Sequence, residues 1–318
     1  MIFVIILYLL FASTFTLGKA ALLYVPPFLF IGVRMLLGGS LLLGYYHFIA
    51  KRHVAVSTKD YSLFARIILF HIFCAYTLEY WALEHVTSAK ACLLYNLSPF
   101  ITALFSYFLY AERLTARQIC GLTIGFIGFI PILVAQSTPA EQLSWHIGLV
   151  SCYEMALIAS VISSAYGWMV MKNLINKGYS FIFINGIGMT GGGALALILS
   201  LFKEGTPMMK ETTAVLPQVV AACGEFGERL IMCGAYSIAL IIIANIICYN
   251  LYGYLLSRYS ATFLSFAGFM TPLFAAGLGW LFLDEQVTWH FFATISMVIF
   301  GLYLFHERKP IVFEEKGL

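Results

Sequence analysis

Long apolar runs, each broken by a short cluster of turn-forming or charged residues, organise almost the whole chain. Ten can be marked: Ile2–Leu17, Phe28–Ile49, Leu63–Leu83, Ala89–Tyr110, Gln118–Val134, Gly148–Met171, Phe181–Phe202, Leu230–Leu256, Ala261–Leu283 and Trp289–Phe305. Within each run the apolar residues are continuous rather than alternating, which excludes the strand pattern of a membrane β-barrel and leaves helices. About 20 apolar residues cross the roughly 30 Å hydrocarbon layer. The pattern therefore predicts an all-α integral membrane protein with ten transmembrane helices. Most connections are short. The exception is Lys203–Arg229, 27 residues that include Pro207 and Pro217.

The pattern also repeats. SPFITALFSYFLYAERLT (Ser98–Thr115) aligns with TPLFAAGLGWLFLDEQVT (Thr271–Thr288) at a constant offset of 173, which pairs Pro99 with Pro272, Glu112 with Glu285 and Thr115 with Thr288. The same offset pairs Tyr76 with Tyr249 and Gly128 with Gly301. Near the start of each half an offset of about 153 fits better, pairing Phe15 with Trp168 and Lys19 with Lys172. The chain is thus expected to divide into residues 1–147 and 148–318, five helices each, with the long outer loop 203–229 in the second. An odd number of spans per repeat turns the second upside down relative to the first. Inverted repeats are the mark of secondary transporters, in which one half rocks against the other around a midplane site. That predicts alternating access without naming a solute.

Composition agrees with the pattern: 61% of residues are hydrophobic, 10% are charged and mean hydropathy is +0.91. A soluble domain carries about a quarter charged residues. The surface partner is then a lipid bilayer, and a net charge of +3 leaves no basis for nucleic-acid binding. If the N-terminus is cytoplasmic, 12 Lys and Arg residues fall in inside loops and 5 outside, with Arg34 inside a helix. The positive-inside rule then puts both termini in the cytoplasm, as a multi-pass protein of the cytoplasmic (inner) membrane. The first run has neither a basic n-region nor a small-residue cleavage site, so it is expected to stay in the mature protein.

Catalytic chemistry finds little support. The seven cysteines form no CxxC pair and the seven histidines are scattered, so no metal site and no disulfide framework are expected. There is no HExxH, GxSxG or phosphate-binding GxxxxGK[ST]. Neither a cofactor nor an enzymatic activity is expected, and ATP is not the expected energy source. The partner is a small-molecule substrate. Gly121, Gly125, Gly128, Gly186, Gly188 and Gly191–Gly193 make small faces suited to packing within the chain, while a homodimer is compatible with the same residues.

Several parts of this pattern bear a resemblance to a known family. A proline within an even-numbered helix, an acid at its end in AER and DEQ, a following Thr and then a Gly-rich helix resemble the EamA family of the drug/metabolite transporter superfamily. PPFLFIGVRMLLGG is similar to the second helix of its repeat, with an embedded Arg, although Ile187 rather than Arg stands at the matching place in the second half. The resemblance spans essentially the whole chain. It implies a bundle of two inverted five-helix repeats around a central cavity, and exchange or ion-coupled transport without ATP. Members of that family move amino acids, nucleotide-linked metabolites, drugs and, in one branch, S-adenosylmethionine.

Charges inside a membrane cost a few kcal/mol each, so each needs a reason. In AYTLEYWAL, Tyr76, Glu79 and Tyr80 share one helical face; the carboxylate between two tyrosines suits an organic cation or a proton. It also lies near enough to the helix end to be a hydrated interfacial residue. Arg34 is placed to hold a substrate carboxylate in a bidentate fork or to neutralise Glu79 or Glu154. Glu154 is a candidate of the same kind, with an interfacial alternative. Asn96 lies three residues from Pro99, and Asn245 and Tyr249 share a helical stripe on which Tyr249 matches Tyr76. Trp168 can stack a flat ring. Pro99 and Pro272 are expected to break helices, and Glu112 and Glu285 to act as caps or gate contacts. Together these features predict transport of an amino-acid-like or S-adenosylmethionine-like solute.

Overall fold

A computed structural model of the chain describes residues 2–51, 56–86, 88–98, 101–102, 104–105, 108, 115–128, 146–147, 150–204, 231–259, 263–264, 267–283, 293, 296–297, 300–301 and 303–304. Its helices, in chain order, begin with α1 (Ile2–Ala21), α2 (Pro27–Ile49), α3 (Thr58–Leu83), α4 (Ser88–Tyr95) and α5 (Ala116–Ile127). They continue with α6 (Cys152–Asn176), α7 (Phe181–Lys203), α8 (Ile231–Leu256) and α9 (Thr271–Leu283). Among the described residues, the six helices α1, α2, α3, α6, α7 and α8 are long and apolar enough to cross a membrane. A two-residue antiparallel pairing of His146–Ile147 with Val150–Ser151 leads into α6. Large apolar side chains such as Leu23, Phe48, Leu201 and Phe202 point outward. In water such a surface drives association; against lipid tails it is matched to its solvent.

Helix ends show how local sequence sets the elements. The Ser151 hydroxyl accepts from Glu154 N while Glu154 accepts from Ser151 N, and Thr115 and Gln118 form the same reciprocal cap on α5. Proline at the first position of α2 is pre-set for a helix start but brings no side-chain cap. Glu204, at the end of α7, supplies one instead, accepting from Phe28 N and Leu29 N at 2.8 and 2.9 Å. Lys19 donates to the carbonyls of Leu83, Glu84 and Val86 and so closes the end of α3, where the helix dipole favours a cation. At the opposite end of the bundle Asp60 accepts from Lys177 and from the Tyr179 hydroxyl.

α2 and α7 form the closest pair. A Cβ on Gly39 would lie 2.5 Å from Thr190 N, and one on Gly193 would lie 2.6 Å from Leu36 N. Only glycine permits that approach. Gly32 faces Leu197 and Gly186 faces Leu43, so numbers rise along α2 as they fall along α7 and the pair is antiparallel. Around it, α3 packs on α6 and α7, while α8 packs on α1 and α2; α1 also meets α9, and α6 meets α4. Both α3 and α8 contain a π-helical stretch, Ile67–Cys74 and Ile241–Cys248, before returning to α-helix.

Two sequence expectations change in detail. Pro272 was expected to interrupt a helix; it stands in the first turn of α9, entered through the 3-10 turn Gly268–Met270, because a proline there forfeits no helical hydrogen bond. α4 ends at Tyr95, four residues before Pro99, with Leu97 N turning back to Leu94 O. Pro99, Glu112, Glu285 and most of the run Trp289–Phe305 lie outside the described residues.

Candidate functional site

Two apolar clusters fill the bundle, one around Phe15, Phe30, Leu83 and Cys92, the other around Leu7, Phe64, Leu174 and Leu255. Where they meet lies a cavity of about 130 Å³. Its walls come from α1 (Tyr8, Phe11, Phe15), α2 (Arg34), α3 (Tyr76, Glu79, Tyr80), α4 (Cys92, Tyr95), α6 (Ser164, Trp168), α8 (Tyr249, Tyr252) and Thr271 of α9. Aromatic rings dominate, and the charges are few and buried.

Arg34 is 1% exposed. Its Nη1 donates to the Tyr80 hydroxyl at 2.7 Å, and the guanidinium lies over the rings of Phe30, Tyr76 and Tyr80 at 5.6, 5.2 and 5.0 Å. Gly18 makes room for that hydroxyl, since a Cβ there would come within 2.7 Å of it. Nε and Nη2 are buried without a hydrogen-bond partner, and Arg34 makes no ion pair with Glu79. A ring face returns about 1–2 kcal/mol to a desolvated cation, whereas each buried donor left unmade costs about 1–3 kcal/mol. The aromatic cage therefore holds Arg34 in place at the cavity wall but leaves two of its donors unsatisfied.

Glu79, 8% exposed, faces the same space. Its Oε2 is 2.5 Å from the Tyr95 hydroxyl, which is 2.8 Å from Ser160 Oγ; Ser160 in turn donates to the Ala75 carbonyl at 2.7 Å. The chain of oxygens ties α3, α4 and α6 together. Opposite, Trp168 lies 3.9 Å from Tyr252 and 5.2 Å from Tyr249, with the His71 ring edge-on at 4.3 Å. Tyr249 also faces Tyr76 at 6.0 Å. Of the residues singled out from the sequence, Arg34, Tyr76, Glu79, Tyr80, Asn96, Trp168 and Tyr249 all line the cavity.

Others lie elsewhere. Glu154 is the capping residue of α6 and is absent from the cavity wall. Asn245 is fully buried against α2, its amide directed at Met35 Sδ at 3.2 Å and its position abutting Gly38. The stripe that joined it to Tyr249 assumes α-helical turns; the wider π turns of Ile241–Cys248 rotate it away. Asn96 keeps its amide on its own helix, donating to the Cys92 carbonyl at 2.9 Å. Tyr95 and Ser160 were missed. Tyr95 shares a helical face with Cys92 and Asn96, a usable signal, but Ser160 reads as one of several small residues on α6.

Comparison with known proteins fits this site. The model of the EamA-like transporter family matches residues 1–134 and 152–306. A curated protein of Chlamydia trachomatis serovar L2, named S-adenosylmethionine/S-adenosylhomocysteine transporter, is 31% identical over 307 residues, covering 94% of this chain and 86% of that protein. A Chlamydia muridarum protein of the same name is 29% identical, covering 94% and 89%. An uncharacterized transporter of Bacillus subtilis is 23% identical over 95% of this chain and 90% of its own length. A solved crystal structure superposes with a TM-score of 0.68 over 95% of this chain and 96% of its own at 16% identity, a likeness of fold alone. Buried charge in a cavity among membrane-length helices and a family match over nearly the whole chain point the same way: the chain belongs to the EamA-like transporter family and is a multi-pass membrane transporter.

Proposed function

We propose that the chain is a secondary active transporter that takes up or exchanges an S-adenosylmethionine-like solute by alternating access at this cavity. One observation carries the reading: Arg34, with two buried donors unpartnered, lines an aromatic cavity that Glu79 also lines. A free fork of that kind matches a carboxylate. Glu79 opposes a cationic centre, and Trp168, Tyr249 and Tyr252 offer ring faces to a purine. An amino acid uses the first two features. A solute with a carboxylate, a sulfonium and an adenine uses all three, and the names of the chlamydial relatives support the same choice. Tyr76 and Tyr80 serve indirectly, since their faces are already turned to Arg34. The described cavity lining comes from helices of one chain, so the proposed site needs no residue from a second copy, and a homodimer stays compatible with it.

The reading takes the fold as ten helices in two inverted repeats, 1–147 and 148–318. The packing supports it: exchanging each helix with the one five places on turns α3–α7 into α8–α2, and α6–α4 into α1–α9. The π segments of α3 and α8 recur at an offset of 174, beside the 173 that pairs Tyr76 with Tyr249. α2 and α7, equivalent in this scheme, pack antiparallel, as an inverted pair must. Pro99 is assigned to a helix break, Pro272 to the restart of the helix after the 3-10 turn Gly268–Met270, and Glu112 and Glu285 to gates; the membrane is taken as the inner one with both termini inside.

Counterflow in proteoliposomes tests the function. Vesicles loaded with unlabelled S-adenosylmethionine and containing the purified chain should accumulate external label transiently without ATP. Label entry that internal substrate does not accelerate describes a channel, and a strict need for ATP ends the secondary-transporter reading.

A further inference from the structure

We infer that Glu79 is protonated in this conformation, and that its proton takes the place of the sulfonium charge when the uncharged thioether form of the solute fills the cavity. The inference rests on the proposed S-adenosyl reading and adds what that reading lacks, the ion that accompanies exchange.

The hydroxyl hydrogens around Glu79 are too few for the contacts they must serve. Three close oxygen contacts run in series from Glu79 Oε2 to Tyr95, from Tyr95 to Ser160 Oγ, and from Ser160 to the Ala75 carbonyl, at 2.5, 2.8 and 2.7 Å. A carbonyl only accepts, so the Ser160 hydrogen is committed to Ala75. With Tyr95 donating to an ionised Glu79, the Tyr95–Ser160 contact has no hydrogen of its own; it gains one only if Tyr95 donates to Ser160 instead. Nothing remains for the contact between Tyr95 and Glu79 unless the carboxyl brings its own. An ionised Glu79 would leave one pair of hydroxyl oxygens at 2.8 Å with no hydrogen between them.

The surroundings agree. The groups that face Glu79 are Arg34 from α2, Tyr76 and Tyr80 from α3, Cys92 and Tyr95 from α4, Ser160 from α6 and Tyr249 from α8. Arg34 is the one cation among them, and it makes no ion pair with Glu79. With Glu79 neutral, the cavity carries the single positive charge of Arg34. A zwitterionic thioether leaves that total unchanged. A sulfonium solute adds one positive charge, and the total is restored if the Glu79 proton leaves to water on the side from which the solute enters. Both loaded forms then carry the same charge through the low-dielectric interior, where one uncompensated charge costs several kcal/mol. Sulfonium moves one way, thioether plus a proton the other, and no net charge crosses.

The test uses proteoliposomes containing the full chain, S-adenosylhomocysteine and a pH-sensitive dye inside, and labelled S-adenosylmethionine outside. The interior should become alkaline in step with label entry. The same vesicles loaded with S-adenosylmethionine should exchange without a pH change, and a potassium potential set with valinomycin should leave the hetero-exchange rate unaltered. Glu79→Gln should lower the ratio of sulfonium to thioether exchange about tenfold, because it deletes the countercharge for the sulfonium alone. Hetero-exchange without alkalinisation, or with a rate that follows the potential, overturns this inference and leaves the substrate reading standing. If the native chain exchanges neither solute, the substrate reading fails and takes this inference with it.

Discussion

Arg34 is held by packing rather than by a counter-ion. Three rings and one tyrosine hydroxyl fix the guanidinium, and two of its donors are left unpartnered on a residue that lines the cavity. Lysine keeps the charge but loses the planar fork. Arg34→Lys should therefore weaken binding of a carboxylate-bearing solute by about 1–3 kcal/mol, roughly five- to 150-fold, while leaving the fold intact. Competition uptake gives the affinity and thermal unfolding in detergent gives the stability; an unchanged affinity removes Arg34 from the substrate. The sequence marked Arg34 and Glu79 because charge inside a membrane run is costly wherever it falls. It could not tell whether the two neutralise each other, since that depends on how α2 and α3 are rotated. Tyr95 and Ser160 carry no such cost and so stood out less, although the oxygen chain they form decides the state of Glu79.

Helix pairing rests on small residues in matched places. Gly32 and Gly186, like Gly39 and Gly193, lie 154 residues apart, and each sits at the α2–α7 crossing. Gly193→Leu would drive a side chain into the Leu36 backbone and should lower stability by about 3 kcal/mol or more, well beyond a surface substitution. A clear drop in the unfolding temperature of the purified protein is the expected result. An unchanged temperature would mean that the close approach of these helices is not needed. The sequence already showed the glycines of α7 as a small face, but not their partner. Asn245 shows the opposite limit: a stripe drawn with α-helical spacing fails where the backbone takes π turns, which no side-chain pattern announced.

Across the molecule, helices from both ends of the chain, α1 to α4 and α6, α8 and α9, line one cavity among the two apolar clusters. An inverted pair would put the loop of residues 203–229 and the link between α2 and α3 on opposite sides, and the Lys and Arg bias of the loops predicts the first outside and the second in the cytoplasm. In a cysteine-free background, a cysteine introduced within 205–229 should react with a membrane-impermeant reagent on intact cells. One placed within 52–55 should react only after permeabilisation. The reverse labelling would invert the whole assignment.

Hydropathy and the position of breaks were enough to determine the membrane class and the number and order of apolar runs, because each depends on local composition; the internal similarity that suggests a repeat is likewise read along the chain. The intramembrane charges that draw attention to a site follow from the same source. Tertiary structure alone decided that Arg34 is caged by rings instead of paired, that Glu154 caps a helix, that Asn245 faces α2, and that Tyr95 and Ser160 complete the chain from Glu79. Those outcomes depend on helix rotation and on the distance between helices, which glycine contacts and π turns set in three dimensions, and a sequence read along one axis does not carry them.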